Sequence, residues 1–171
     1  MRILSVVALL ILLLVPLGAA AETVMLYTEE PVGKGEYEIA RGYMEDGIMG
    51  SFFDAGHIIF NTHAAAGSSA GDNSGEEASG EDEPFEDRKA FRIAKAGGAG
   101  YLLEIMMKFT EDEEELLPQS VEYRVYLLKE DALLGEGTVH LRNAGDSDEL
   151  SNEELLKNMG RNLAQGALSR L

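Results

Sequence analysis

Cysteine and tryptophan are absent from the 171-residue chain, proline occurs four times and histidine three, and 14 Lys and Arg stand against 31 Asp and Glu. The missing thiols exclude disulfides, thiolate metal sites and cysteine nucleophiles. They also exclude the lipid attachment of a bacterial lipoprotein, which needs a Cys behind the export signal. The shortage of cations leaves a net charge of −17, which repels phosphate backbones and anionic headgroups, so neither nucleic acid nor a membrane surface is expected as a partner. With 45 % hydrophobic residues the chain has enough apolar material to fold, and global disorder is not expected.

Long apolar runs are also missing, with one exception at the amino end. Met1 and Arg2 carry positive charge, Ile3 to Leu17 is apolar apart from Ser5 and Pro16, and Gly18, Ala19, Ala20 and Ala21 precede the polar Glu22. This is the three-part form of a secretory signal with Ala19 and Ala21 framing the cleavage site. The alternative, a retained anchor, needs roughly 20 apolar residues, and Pro16 interrupts a shorter run. Cleavage after Ala21 takes the chain from 171 to 150 residues and, with the loss of Arg2, the charge from −17 to −18. No twin-Arg pair is present, which points to export of an unfolded chain. The expected location is the periplasm, with the extracellular space as the alternative, and no membrane insertion is expected once the signal is gone.

Residues 22–171 are expected to form a single α/β domain, interrupted by an insertion at 64–83 that contains only Ala, Gly, Ser, Asp, Asn and Glu. Such a segment has nothing to bury against its ordering entropy and is expected to be disordered. Its acidic part continues to Asp87. The roughly 40 residues before it are too few for a core of their own, so both sides are expected to share one.

Thr23 to Thr28 reads as a buried strand. Glu36 to Ala55 reads as a helix with Ala40, Met44, Gly47, Ile48, Ser51 and Phe52 on one stripe, widened by Tyr37, Tyr43 and Phe53. Gly42, Gly47 and Gly50 weaken it by roughly 1 kcal/mol each, and close packing on the helix's own sheet is the expected reason for them. Gly56 suits the helix stop, and His57 to Asn61 is a second strand. After the insertion, Pro84 can open a helix with Ala90, Ile93, Ala94 and Gly97 on one face and Arg88, Lys89, Arg92 and Lys95 on the other, these cations balancing the acidic segment nearby. Tyr101 to Phe109 alternates as a strand. Val121 to Leu128 and Glu136 to Arg142 are two more, joined by a hairpin loop from Lys129 to Gly135. Ser151 and Glu154 form a capping box for the last helix, with Leu150 and Leu155 as its hydrophobic staple and Leu156, Met159, Leu163 and Ala167 as its buried stripe. The expected fold class is therefore α/β: a mixed sheet with an antiparallel carboxy-terminal meander, helices packed on it, and the order β-α-β-(loop)-α-β-β-β-α.

This order, together with Gly98-Ala99-Gly100-Tyr101-Leu102-Leu103 at a helix end and strand start, resembles a group of envelope domains: the amino-terminal domain of TolB, LpoB and CsgG. The chain departs from the lipoproteins LpoB and CsgG in having no Cys to lipidate, and from the group in placing Gly100 where a polar residue is usual and in the insertion at 64–83. The resemblance implies a non-enzymatic domain that binds other envelope proteins, without saying which.

Residues that could carry chemistry do not assemble into a site. Gly67-Ser68-Ser69-Ala70-Gly71 has the letters of a hydrolase nucleophile elbow, but that chemistry needs a strained strand-to-helix turn and here the serine sits in an acidic, small-residue tract. His57, His63 and His140 have no metal-ligand spacing. Asp72-Asn73-Ser74-Gly75-Glu76 lacks the calcium-loop arrangement, and Glu111 to Glu115 is too short to wrap an ion. Gly97 to Gly100 follows a helix and precedes a strand, the reverse of a phosphate loop. No catalytic, cofactor-binding or metal residue is expected. The expected function is an exported, non-enzymatic interaction or accessory module whose partners are envelope proteins; the alternatives are a secreted hydrolase with an unrecognised site and an acidic cation-binding protein.

Overall fold

Thr23–Glu29, the first apolar run, forms β1 at an inner position of a five-stranded sheet, where its two neighbours take both of its backbone edges. The computed structural model describes residues 21–29, 37–61, 88–109, 117–145 and 150–171. The elements follow in the expected order: α1 (Tyr37–Asp54), β2 (Ile58–Asn61), α2 (Lys89–Ala96), β3 (Tyr101–Lys108), β4 (Ser120–Leu127), β5 (Ala132–His140), a 3-10 turn (Leu141–Asn143) and α3 (Asn152–Leu168). The fold is α/β. The strand order is β2-β1-β3-β4-β5, with β1 parallel to β2 and β3, and β3-β4-β5 antiparallel. Residues 1–20 of the expected signal at 1–21, the insertion at 64–83, His63, the serine tract at 67–71, Pro84 and the carboxylates at 111–115 lie outside the described residues.

Strand alternation divides the core in two. On one face Val24, Leu26, Leu103, Ile105, Met107, Val121 and Val125 meet Met44, Ile48 and Phe52 of α1 and Leu155, Met159 and Leu163 of α3, a layer sealed from water. On the other face Met25, Leu102, Tyr126 and Leu128 meet Ala90, Phe91 and Ala94 of the two-turn helix α2, with Tyr27, Phe60, Ile93 and Ala99 packed at the margin. Leu102 and Leu103 are both fully buried because β3 is covered on both faces at that level.

Three sequence expectations need correction. Gly47 does not serve contact with the sheet: a Cβ there would strike the backbone of Lys157 in α3, and one on Gly160 would strike that of Met44, so the two glycines let the helices cross at backbone distance. Gly42 and Gly50 have nothing within 4 Å of such an atom. The β4–β5 hairpin is shorter than Lys129 to Gly135, since β5 starts at Ala132; Val125 pairs with Gly135 and Tyr126 with Leu133, so Leu134 is the extra residue of a bulge that hides the strand's period of two. On α2 the buried face includes Phe91, which the expected stripe omits, with Ala90 and Ala94, while Ile93 is partly buried beside them and Gly97 is exposed.

The caps agree with the sequence. Gly56 ends α1 at φ +85°, a conformation that glycine adopts freely, and His57 N–H closes the turn on Phe52 O at 3.0 Å. Ser151 Oγ accepts from Glu154 N–H while the Glu154 carboxylate accepts from Ser151 N–H at 3.1 Å, a complete capping box.

Candidate functional site

Among the described residues α2 covers one end of its sheet face, and the other end forms a groove of about 330 Å³. The strand register sets its floor in two rows running across the strands. One row is Glu29, Met106, Glu122 and Thr138; the next is Tyr27, Glu104, Arg124 and Glu136. Every second residue of each strand points here, so the polar half of the alternation in β3, β4 and β5 is what lines the groove.

The second row is tied by charge. Arg124 Nε lies 3.7 Å from Glu136 Oε2, and Arg88 Nη1, at the start of α2, lies 3.7 Å from Glu104 Oε2 and donates to the Tyr126 hydroxyl at 3.4 Å. Arg88 and Glu104 are both mostly buried, with side-chain exposures of 15 % and 19 %. Burial pushes the Glu104 carboxyl above its ordinary range; the Tyr126 hydrogen bond and the charges of Arg88 and Arg124 oppose that rise, and Glu29 adds to it. Burial also raises the Tyr126 phenol, with the Glu104 charge next in size. At the open end Lys108 Nζ is 3.7 Å from Glu122 Oε2, both side chains being nearly half exposed. Of the cations expected to balance the acidic segment, which itself lies outside the described residues, Arg88 reaches Glu104 and Tyr126, and Lys95 Nζ reaches Asp131 Oδ1 at 2.6 Å.

A second polar cluster is structural. Glu45 of α1, 8 % exposed, accepts from Thr28 Oγ1 at 2.7 Å and from Asn61 Nδ2 at 3.0 Å, and Arg41 Nε stands 3.7 Å away. It ties α1 to the ends of β1 and β2. A shallower notch of about 300 Å³ lies outside the α1–α3 crossing, with Asp46, Asp54, Lys157 and Arg161 around Gly50.

The two described histidines are not brought together. His57 sits at the turn into β2 with its ring against the edge of Phe52, while His140 ends β5 opposite Ser120. Among the described residues there is no group of three side chains able to hold a metal ion and no helix long and apolar enough to cross a membrane. Sequence reasoning missed the groove because each of its carboxylates is the unremarked polar partner in an alternating strand. The usable signal was the recurrence of charge on the inner strands β3 and β4, at Glu104, Glu122 and Arg124, where a fully covered face would carry apolar residues.

No model of a known protein family matches the sequence, and no characterised protein matches it by sequence. Two solved structures are distantly similar to the chain. One is the dodecamer of a PelC variant from Paraburkholderia phytofirmans, with 9 % identity, 84 % of this chain and 86 % of that one covered, and a TM-score of 0.43. The other is lipoprotein GNA1162 from Neisseria meningitidis, with 12 % identity, 86 % and 97 % covered, and a TM-score of 0.46. Neither of these is TolB, LpoB or CsgG.

Proposed function

We propose that the chain is an exported, non-enzymatic interaction module of the cell envelope, and that the groove on the half-covered sheet face receives a segment of a partner protein. The observation that carries this reading is the asymmetry of the sheet: α1 and α3 seal one face, and α2 leaves the other open over charged side chains held in cross-strand pairs. Buried or half-buried ion pairs on a rigid sheet give orientation and specificity to a contact. The signal-like segment at residues 1–21 supports export.

The test is site-specific photocrosslinking in the native host, with the reactive residue placed at Thr138 in the groove and, as control, at Glu153 on α3. A discrete protein adduct from Thr138 alone supports the reading; adducts of equal pattern from both positions, or none from Thr138, refute it. A second reading, a secreted hydrolase, is favoured by one observation, the raised carboxyl of Glu104 in a cleft. Turnover by the purified chain that disappears in Glu104→Gln would replace the first reading with the second.

A further inference from the structure

One side chain on the groove floor differs in kind from its neighbours. In the row Glu29, Met106, Glu122 and Thr138, the thioether of Met106 is the apolar member. Met25, Met44, Met107 and Met159 are sealed in the two apolar layers, none more than 3 % exposed, and Met49 packs against the layer of α1 and α3. Among the described residues Met106 belongs to neither layer; it is partly buried and borders the open volume of the groove. Two residues on in β3, the Lys108 ammonium donates to the Met106 sulfur in an exposed contact, while lying 3.7 Å from Glu122 Oε2. Room for a small reagent, a sulfur with a second lone pair and a proton donor beside it thus meet at one point.

We propose that Met106 is a site of reversible oxidation by hydroperoxides, with Lys108 assisting the transfer of oxygen to sulfur. The sulfur attacks the terminal oxygen of the hydroperoxide, an S–O bond forms as the O–O bond breaks, and two electrons pass from sulfur to the peroxide. The departing alkoxide, or hydroxide from hydrogen peroxide, takes a proton from the Lys108 ammonium, and the proton on the sulfur-bound oxygen returns to the Lys108 amine. The balance is thioether plus hydroperoxide to sulfoxide plus alcohol or water. The product puts a polar group where an apolar one stood, and methionine sulfoxide reductases reverse the change. Its oxygen is a stronger acceptor for Lys108 than the thioether and draws the ammonium off Glu122. The inference stands apart from the interaction reading, since it needs only the groove and these two side chains.

The experiment exposes the full mature chain to hydrogen peroxide and follows sulfoxide at each methionine by peptide mapping and mass spectrometry. Met106 is expected to oxidise fastest, ahead of Met49 and well ahead of the four sealed methionines. Lys108→Leu is expected to slow Met106 about tenfold relative to Met49 in the same molecule, less than the hundredfold or more typical of an acid in a closed active site because this groove is open to water. Lys108→Arg keeps a cationic donor and is expected to recover most of the rate. Lys108 is nearly half exposed, so both variants should melt with the parent. Oxidation of Met49 as fast as Met106, or of a sealed methionine before either, overturns the site. A Lys108→Leu chain with the parent's ratio, or Lys108→Arg as slow as Lys108→Leu, overturns the part assigned to the ammonium.

Discussion

Alanine in place of Gly47 will destabilise the protein, while alanine in place of Gly50, three residues on in the same helix, will stabilise it. At Gly47 the new methyl falls on the Lys157 carbonyl group, with Lys157 C at 3.0 Å and Cα at 3.1 Å. The obstacle is backbone in the second turn of α3, so relief requires the whole helix to shift away from α1 and to loosen Met44, Ile48, Leu155 and Met159. Overpacking of this kind costs about 3 kcal/mol at the upper end of its usual range, and the better helix propensity of alanine returns about 1 kcal/mol, leaving a net loss of about 2 kcal/mol. At Gly50 nothing lies within 4 Å, and only the propensity gain of about 1 kcal/mol remains. For a chain of this size each kcal/mol moves the melting temperature by about 2–4 °C, so the two variants should straddle the parent by about 4–8 °C below and 2–4 °C above. Urea unfolding followed by circular dichroism measures both. A Gly47→Ala protein as stable as the parent would refute the close crossing, and a destabilised Gly50→Ala would show that its face is occupied.

Other expectations follow from the same coordinates. Phe91→Ala should lose about 3–5 kcal/mol and Phe53→Ala, at a side chain 77 % exposed, within about 0.5 kcal/mol of nothing, as read from urea midpoints. Ser151→Ala removes the capping box and should cost about 1 kcal/mol; because the cap holds the Glu154 carboxyl below its usual range, the contribution is present at neutral pH and fades on acidification through that lowered value. Glu104 has the opposite sign. Its folded carboxyl is raised above 4.5, so the folded state binds the extra proton and stability from this group falls as pH rises from about 4.5 through the raised value. Melting temperatures measured against pH should show that slope in the parent and its absence in Glu104→Gln; parallel curves would contradict the burial of this side chain.

The order of elements was legible because each carries its own period: alternation in β3 and β4, helical spacing in α1 and α3, and a capping box at Ser151. What was not legible required knowing neighbours. Gly47 looks like Gly50 in sequence, and only the approach of α3 distinguishes them. Nothing in the sequence marks Arg41 and Glu45 of α1 as buried, yet both are, and Glu45 accepts from Thr28 and Asn61 on the neighbouring strands. The start of β5 was hidden by a bulge that shifts the alternation at Leu134. The expected absence of catalytic, cofactor and metal residues named no position, so the groove emerged only when register aligned Glu29, Glu104, Glu122, Arg124 and Glu136 from four strands.

The shortness of α2 has a consequence for motion. Two turns of helix do not persist alone in water, so the eight residues Lys89–Ala96 stay helical only while Phe91 remains seated on Leu102 and Tyr126. Amide hydrogens on α2 should therefore exchange with solvent through a local opening far less costly than global unfolding, while those of β1 and β3, caught between neighbours on both sides, exchange only when the whole domain opens. Since Arg88 leaves Glu104 in that opening, the wall beside the groove is also the fold's earliest point of fraying, and a ligand held there would slow exchange along α2 without touching most of it.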